Sequence, residues 1–326
     1  MENLRWGIVG SGGIARKFVR DLSVARAGSV RAVVSRDIGR ARAAAREFAA
    51  PLALSDVRAL AAESSVDIVY IATPHCAHFG AAQILLSCGK AVLAEKPLTV
   101  NAAQARGLVA LARANGAFLM EAIWPRFSPL YLRLGRLIGD GRIGRLRAVT
   151  SGFCVRGNLD PAQRWMNPAL AGGALLDLGI YCLAMSQFVL REEPSDLAAV
   201  ARMSPTGVDE ILSASLGYPS GAVANFVCSL VAHGDNRLVV AGEHGRIEVP
   251  AHFIAAEKAI VFAGDTSEVI DEPFRGEGFE YEIEEAARCL RAGLTESPLM
   301  PWADTLALAE TMDAIRRQIA LRYPFE

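Results

Sequence analysis

This sequence of 326 residues has almost no net charge and no long apolar run, and each of these two absences excludes a class of partner. The 34 basic and 35 acidic side chains leave a net charge of −1. Nucleic acid is therefore not expected as a partner, because binding phosphates requires a basic surface. The longest apolar stretch, residues 174–190, is interrupted by Asp177 and is short for a membrane span. We predict a buried helix there and no membrane partner.

Cysteine pairs with metal-binding or redox spacing are also missing from the sequence. None of the six cysteines forms a Cys-x-x-Cys motif or belongs to a Cys/His cluster. His75 and His78 stand three residues apart, but no second group of ligands accompanies them. The sequence begins Met1-Glu2-Asn3 and continues into an apolar strand pattern without a basic leader. These observations predict reduced thiols, a cytoplasmic protein and no metal site.

The first 122 residues alternate short β-branched segments with Ala/Arg-rich helical segments, a pattern typical of a parallel α/β sheet. They carry 15 basic and 9 acidic side chains, a net of +6, and the remainder carries 19 and 26, a net of −7. A basic half suits an anionic ligand, although solvated helix faces would explain the same count. The predicted strands are residues 5–9, 29–34, 66–71, 91–94 and 117–120, and the predicted helices are 14–22, 38–48, 78–88 and 102–115.

Beyond Glu121 the pattern changes to alternating polar and apolar residues separated by turns such as Pro219-Ser220-Gly221, which predicts an antiparallel sheet. The predicted strands are residues 146–154, 198–203, 210–218, 221–231, 237–241 and 260–262, and the predicted helices are 130–139, 280–292 and 302–321. We therefore predict an α/β protein with a doubly wound parallel sheet in residues 1–122. Residues 123–326 are predicted to form an α+β domain with an open, mainly antiparallel sheet. Its uncovered face suits dimerisation, and its last helix is free to pack back on the first domain.

A glycine-rich motif follows the first predicted strand. Gly10-Ser11-Gly12-Gly13-Ile14-Ala15 matches the Gly-x-Gly-x-x-Ala form of the dinucleotide-binding fingerprint. In that motif Gly10 allows a tight turn, Gly12 lets the backbone approach a pyrophosphate, and Ala15 lets the helix lie close to the strand. Free N–H groups at the helix start then face the phosphates. The position between strand and helix favours a Rossmann domain that binds NAD(P).

The end of the second predicted strand bears on the choice between NAD and NADP. An acidic residue there binds the ribose 2′-hydroxyl of NAD, whereas this sequence has Ser35-Arg36-Asp37. Ser35 and Arg36 suit a 2′-phosphate, and Arg40 and Arg42 add positive charge. If Asp37 reached the ribose instead, NAD would be preferred. The sequence favours NADP and leaves NAD open.

Lys96, in Glu95-Lys96-Pro97, follows the fourth predicted strand and is one of only 4 lysines against 30 arginines. Ligands of open α/β sheets bind at such strand ends, and lysine can donate a proton where arginine cannot. Pro97 also favours an extended backbone at Lys96. The alternative is a surface lysine whose aliphatic part covers apolar neighbours.

The segment Gly172-Gly173-Ala174-Leu175-Leu176-Asp177-Leu178-Gly179-Ile180-Tyr181 supplies further acid–base groups. In a regular helix, Asp177 and Tyr181 lie on one face at positions i and i+4. A tyrosine beside a cationic lysine has a lowered pKa and can exchange a proton with a hydroxyl or carbonyl group. Asp177 would orient the substrate hydroxyl or keep Lys96 charged. Simple structural roles for both residues remain the alternative.

Four motifs in this order resemble the glucose-fructose oxidoreductase/inositol dehydrogenase/rhizopine catabolism (Gfo/Idh/MocA) family. They are the glycine motif, residues 72–78 (Ala-Thr-Pro-His-Cys-Ala-His), residues 94–97 (Ala-Glu-Lys-Pro) and residues 172–181. Many members have His at the position of Tyr181. Tyrosine there, together with residues 121–127 (Glu-Ala-Ile-Trp-Pro-Arg-Phe), resembles the branch of dimeric dihydrodiol dehydrogenase and D-xylose dehydrogenase. The sequence departs from the family at Ala171, where relatives often have a third glycine.

The resemblance implies a Rossmann domain, a C-terminal domain whose open sheet forms a homodimer, and NADP chemistry on a sugar, a cyclitol or a cyclic trans-diol. It implies that Lys96 is the catalytic lysine and that Asp177 and Tyr181 are its partners. The glycine motif, together with Ser35, Arg36 and Arg40, is predicted to contact the cofactor. The resemblance adds further predicted cofactor contacts: Thr73, Pro74, His75, His78, Glu95, Lys96, Trp124 and Arg126.

The predicted function is therefore hydride transfer between NADP and a secondary alcohol or ketone, with Lys96 and Tyr181 as the proton relay. Two alternatives stay open. A redox-assisted glycoside hydrolase would retain NAD through many turnovers. A non-catalytic NAD(P)-sensing regulatory protein would need no proton relay, and the joint presence of Lys96, Asp177 and Tyr181 argues against it.

Overall fold

The computed structural model describes residues 3–326; Met1 and Glu2, which open the predicted leaderless N-terminus, lie outside the described residues. The chain divides into two compact units. The first comprises Met1–Phe127 and Arg275–Leu306, and the second comprises Ser128–Phe274 and Ala307–Glu326.

The first unit contains a six-stranded parallel sheet. Its strands are β1 Arg5–Val9, β2 Ser29–Val34, β3 Leu52–Leu54, β4 Ile68–Ile71, β5 Ala91–Glu95 and β6 Leu119–Ala122. Its helices are α1 Gly13–Ala25, α2 Ile38–Glu47, α3 Val57–Ala62, α4 His78–Ser87, α5 Ala102–Asn115 and, from later in the chain, α8 Glu280–Arg291. The strand order β3-β2-β1-β4-β5-β6 is that of a doubly wound Rossmann sheet, so the predicted fold class is confirmed.

Burial explains why the central strands read as uninterrupted apolar runs. All four residues of β4 are fully buried, as expected for a parallel strand covered by helices on both faces. β3 and α3 are absent from the sequence-based prediction. Because β3 has three residues and α3 has six, neither is long enough to show a clear hydrophobic period.

The second unit contains an eight-stranded sheet in the order β14-β13-β12-β11-β7-β10-β9-β8. Its strands are β7 Leu146–Cys154, β8 Asp196–Met203, β9 Asp209–Gly217, β10 Val223–Ser229, β11 Leu238–Gly242, β12 Gly245–Val249, β13 Lys258–Ala263 and β14 Thr266–Asp271. Only the β7–β10 pair is parallel among the pairs of this sheet in the described chain, which confirms the predicted, mainly antiparallel sheet. The prediction missed β12 and β14.

Two helices of this unit are α6 Pro129–Gly139 and α7 Ile180–Leu190; α9 Trp302–Gln318 begins in the first unit and ends in the second. Among the described residues, one helical stretch, Pro168–Leu190, is long and apolar enough to cross a membrane. Its apolar window is 89% buried inside the protein, as expected of a core helix.

One face of the eight-stranded sheet is open at its middle strands. Phe226 and Cys228 are buried, whereas their neighbours Val223, Asn225 and Val227 are exposed. β9 likewise exposes Ser213 and Ser215. The centre of this face is therefore small, uncharged and accessible to solvent.

Candidate active site

The glycine turn after β1 has the backbone geometry that the fingerprint requires. Gly10 has φ +114°, and a Cβ there would lie 2.4 Å from the carbonyl oxygen of Ala72. At Gly12 and Gly13, by contrast, a Cβ would meet no protein atom within 4 Å. Of these three glycines, only Gly10 is therefore required by packing within the protein. The open space beside the other two glycines is what a close-lying pyrophosphate needs.

The start of α1 can receive an anion. Gly12 occupies the position before the first helical residue, no side chain caps the helix, and its first turn contains no acidic residue. The first N–H groups of a helix lack partners within the helix and carry partial positive charge. Arg16 steadies the turn, because its guanidinium donates to the carbonyl of Ser11 at 3.1 Å and pairs with Glu47 at 2.8 Å. The residues at this helix start fit a dinucleotide phosphate.

The residues after β2 separate into a capping residue and exposed cations. Asp37 caps α2 by accepting a hydrogen bond from the N–H of Arg40 at 2.8 Å. Arg36 and Arg40 are exposed. Burial raises the pKa of the Cys76 thiol, and the positive charge of Arg36 opposes this shift. Arg36 therefore lies towards the segment that follows β4, the neighbouring cofactor-binding segment predicted from the sequence.

The segment after β4 contains an unpartnered polar atom and a histidine bridge. The hydroxyl of Thr73 is buried and has no hydrogen-bond partner among residues 3–326, so it is available to a bound cofactor. His78 is fully buried, and its two ring nitrogens lie 2.8 Å from the carbonyl oxygens of Thr73 and Pro97. The ring of His75, 6% exposed, lies 5.9 Å away. His78 thus connects the segments after β4 and β5.

Lys96 follows β5 in a segment held from both sides. The Glu95 carboxylate accepts hydrogen bonds from the hydroxyl of Tyr70 at 2.5 Å and from the N–H of Lys96 at 3.2 Å. The Lys96–Pro97 peptide bond is cis, and Glu121 of β6 accepts from the N–H of Leu98 at 2.7 Å. Lys96 itself is only 8% exposed. The buried position of Lys96 excludes the alternative of a solvated surface lysine.

Two buried carboxyl groups near this segment are pushed towards their neutral form. Burial raises the pKa of Glu121 to about 7, against the opposing effect of the Leu98 N–H. Burial, and then the negative charges of Glu95 and Asp21, raise the pKa of Glu282 well above its usual range. Neither carboxyl oxygen of Glu282 has a hydrogen-bond partner in the described part of the chain. Sequence reasoning missed Glu282, because nothing in the pattern of α8 distinguishes it from other glutamates.

Trp124 and Arg126 lie in the turn after β6, and both are buried. Trp124 stacks on Phe279 with ring centroids 5.3 Å apart, which fixes the plane of the indole. The guanidinium of Arg126 contacts Asp304 at 2.5 Å and the sulfur of Met300 at 3.1 Å. Arg126 is therefore held by its own unit, and its predicted place beside cofactor and substrate stays a prediction.

In the second unit, Asp177 and Tyr181 lie on a helical segment that begins irregularly. Residues Leu175–Gly179 form a π-helix, in which the N–H of Ile180 donates to the carbonyl of Leu175, and α7 continues from there. The sequence predicted a regular helix, but a π-turn adds a residue and changes which side chains share a face. Such turns occur frequently at functional sites. Asp177 is 4% exposed and Tyr181 6%.

Arg164 is a partner of Asp177 that sequence reasoning missed. Its two terminal nitrogens contact the two carboxylate oxygens of Asp177 at 3.0 and 3.1 Å, a bidentate arrangement. The side chain of Arg164 is 49% exposed, whereas that of Asp177 is 5% exposed. The ring of Phe153 meets that of Tyr181 edge to face at 5.9 Å. These contacts orient both predicted partners of the lysine within their own unit.

The structure thus places the predicted residues in two groups. The glycine turn, the segments after β2, β4 and β5, and Lys96 belong to the first unit, and Asp177 and Tyr181 belong to the second. Among residues 3–326, no three His, Cys, Asp or Glu side chains are grouped so that they could hold a metal ion. The first group has the features of a dinucleotide site. The second supplies a carboxylate and a phenol of the kind used in acid–base chemistry.

Comparisons with known families match both units. A profile of the oxidoreductase family with the NAD-binding Rossmann fold matches residues 4–123. A profile of the GFO/IDH/MocA C-terminal domain matches residues 131–248. Among curated proteins, the chain is 38% identical to the trans-1,2-dihydrobenzene-1,2-diol dehydrogenase of Mus musculus and 36% identical to that of Homo sapiens, covering 98% of each chain in both pairs.

Two solved structures are similar over 98% of both chains. One is the aldose-aldose oxidoreductase of Caulobacter crescentus, complexed with glycerol, with a TM-score of 0.90 and 25% identity. The other is a 3-ketoreductase of Actinomadura kijaniata in complex with NADP and TDP-benzene, with a TM-score of 0.86 and 27% identity.

Proposed function

Since the chain belongs to the Gfo/Idh/MocA family of NAD(P)-dependent oxidoreductases, we propose that it is an NADP-dependent dehydrogenase of cyclic trans-diols or sugars. The reaction interconverts a secondary alcohol and a ketone. The observation that carries the proposal is the sheet edge of the first unit, where an anion-receptive glycine turn and the buried Lys96 follow two strands of one parallel sheet. Curated relatives that align with 98% of the chain act, by name, on a dihydrobenzene diol.

The chain's contribution to this chemistry is position and proton transfer. Bound NADP supplies the hydride-accepting nicotinamide. When the alcohol is oxidised, its C–H hydrogen leaves as hydride and its O–H proton passes to the phenolate oxygen of Tyr181, whose negative charge the ammonium of Lys96 compensates. Asp177, held by Arg164, orients the substrate hydroxyl for this transfer. In the reverse direction the same groups protonate the forming alkoxide.

The contacts and exposure of the residues after β2 favour NADP over NAD. Asp37, the residue that would bind an NAD ribose, already accepts the hydrogen bond that caps α2. Arg36 is exposed beside the cofactor-binding edge and offers a planar set of donors that suits a phosphate. The related 3-ketoreductase of Actinomadura kijaniata was solved with NADP.

The experiment that tests the proposal is a fluorescence titration of the protein with NADPH and, separately, with NADH. We expect tighter binding of NADPH. Arg36→Ala should weaken NADPH binding about 10- to 100-fold, since a hydrogen bond to a charged group contributes roughly 1.5–3 kcal/mol, and should leave NADH binding within about 3-fold. The matched control is Arg46→Ala, at an exposed arginine in the last turn of α2, the helix that follows Arg36. Equal loss for both cofactors would contradict the role of Arg36.

Two further measurements, of co-purified cofactor and of substrate oxidation, separate the proposal from its alternatives. NAD that co-purifies and is retained would favour the redox-assisted hydrolase. Binding of NADPH without oxidation of any of a panel of trans-dihydrodiols, aldoses and cyclitols would favour a regulatory protein.

We propose further that the chain forms a homodimer through the open face of the eight-stranded sheet. The centre of this face, which includes Asn225 and Val227, is small and uncharged and resembles an interface more than a solvated surface. We expect light scattering to give the mass of two chains. Val227→Arg should shift the protein to single chains, because it would bury a charge. Leu294→Arg, at an exposed leucine of the first unit, should not.

A further inference from the structure

Asp209 is a buried aspartate that neither the fingerprint nor the catalytic motifs include. It is the first residue of β9 and is fully buried. Its Oδ2 accepts a hydrogen bond from the N–H of Leu175 at 2.7 Å. Leu175 is the first residue of the π-helix that carries Asp177. Asp209 thus binds one of the N–H groups that a helix start leaves without a partner, although it lies more than thirty residues away in sequence.

The adjacent glycines leave room for this contact. Gly173 has φ +116°, and a Cβ there would lie 2.1 Å from Oδ1 of Asp209. A Cβ at Gly172 would lie 2.5 Å from the carbonyl oxygen of Trp165. The carbonyl of Gly172 in turn accepts a hydrogen bond from the buried hydroxyl of Tyr323 at 2.6 Å. The Gly-Gly pair therefore allows the backbone to approach Asp209 closely, which any side chain at position 173 would prevent.

We propose that Asp209 is a positioning residue for the reaction: it caps the π-turn and thereby sets the placement of Asp177 and Tyr181. The proposal rests on the proposed function, because it assigns Asp209 a role through those two residues. The acceptor oxygen of the Asp209 carboxyl group fixes the first turn, and the turn fixes the backbone positions from which both side chains extend. A misplacement of about 1 Å in such groups can cost on the order of 100-fold in rate.

The charges around Asp209 give the proposal a pH signature. Arg316, Cys228 and Tyr323 are the titratable groups that interact with it, and the N–H groups of Leu175 and Ala174 face its carboxyl group. Burial raises the pKa of Asp209 to about 7, against the opposing hydrogen bonds. Between about pH 4 and pH 7 the carboxyl group of Asp209 therefore stays protonated in the folded protein, whereas it is ionised in the unfolded chain. The stability that this proton contributes is complete below about pH 4 and is lost as the pH rises through 7.

The test uses two variants of the full-length chain and one control. Asp209→Asn keeps an acceptor oxygen but cannot ionise, whereas Asp209→Ala removes the acceptor. Asp56→Ala removes an aspartate cap from α3, where Asp56 accepts from the N–H of Arg58. We measure kcat and KM for trans-dihydrodiol oxidation, NADPH affinity, and hydrogen exchange of the peptide that contains residues 174–181.

We expect Asp209→Ala to lower kcat on the order of 10- to 100-fold, with NADPH affinity unchanged and faster exchange confined to residues 174–181. Asp209→Asn should restore kcat to within about 3-fold and restore the protection against exchange. Between pH 6 and 8.5 the melting temperature of the wild-type chain should also fall by roughly 2–3 °C more than that of Asp209→Asn. Asp56→Ala should lower the melting temperature and leave kcat and exchange at residues 174–181 unchanged.

Two results would overturn the proposal. One is an unchanged kcat in a folded Asp209→Ala protein. The other is fast exchange at residues 174–181 in Asp209→Asn, a test that stands even if the alanine variant does not fold. If the wild-type chain oxidised no diol or sugar, the proposed function would fail, while hydrogen exchange would still show whether Asp209 caps the turn.

Discussion

Replacing Lys96 with methionine should lower kcat for trans-diol oxidation on the order of 1,000-fold while NADPH affinity stays within a few-fold of the wild-type value. Methionine keeps the length and apolar contacts of the lysine stem and removes only the charge and the proton. Lys96 is 8% exposed, so water has little access to take the place of the lost ammonium. Its backbone N–H donates to Glu95, which holds the backbone at position 96 in place. Positioned acid–base groups contribute about 100- to 10,000-fold to a rate.

The matched control for this experiment is Lys258→Met. Lys258 is exposed on β13 and pairs with Asp271 at 2.8 Å, a surface ion pair of little energetic weight. Steady-state kinetics and NADPH fluorescence, measured on both variants, separate turnover from cofactor binding. Retention of more than a tenth of wild-type turnover by Lys96→Met would remove Lys96 from the proton relay.

The sequence alone indicates the first unit well because its signals are local. The Gly10–Ala15 motif lies between an apolar run and a helical period, and the structure places it between β1 and α1. Buried parallel strands such as β4 are recognisable as unbroken apolar segments. Lys96 stands out because lysine is rare in this chain and because it follows such a strand.

Contacts between residues distant in sequence were not predictable in the same way. Asp209 caps a helix start at Leu175, and no short motif links these two positions. Glu121 was noted only as part of a motif, but its hydrogen bond to Leu98 depends on the pairing of β5 with β6. The π-turn at Asp177 is equally hidden, since its residues have the composition of an ordinary apolar helix.

Arg164→Ala should reduce both activity and stability, and this effect follows from an unequal ion pair. The carboxylate of Asp177 is 5% exposed, whereas the guanidinium of Arg164 is 49% exposed. Removing the arginine therefore leaves a buried carboxylate without the guanidinium that compensates its charge, a loss of about 3–5 kcal/mol for a fully buried pair. Because Arg164 is half exposed and water can enter its place, we expect about 1–3 kcal/mol here. Asp177, no longer oriented by the bidentate guanidinium, should also support turnover less well, so that kcat falls about 10- to 100-fold.

Removal of the other partner should give a different pattern. Asp177→Asn leaves the half-exposed arginine free to be solvated, so its stability cost should be under about 1 kcal/mol, while its kcat should fall at least as far as that of Arg164→Ala. Arg164→Lys keeps the charge but not the bidentate contact, and should recover stability better than activity. Arg202→Ala, at an arginine that is 80% exposed and pairs with Glu210, controls for the loss of a surface ion pair. Urea unfolding and steady-state kinetics distinguish these patterns. Equal stability losses for Asp177→Asn and Arg164→Ala would show that burial of Asp177 does not govern the pair.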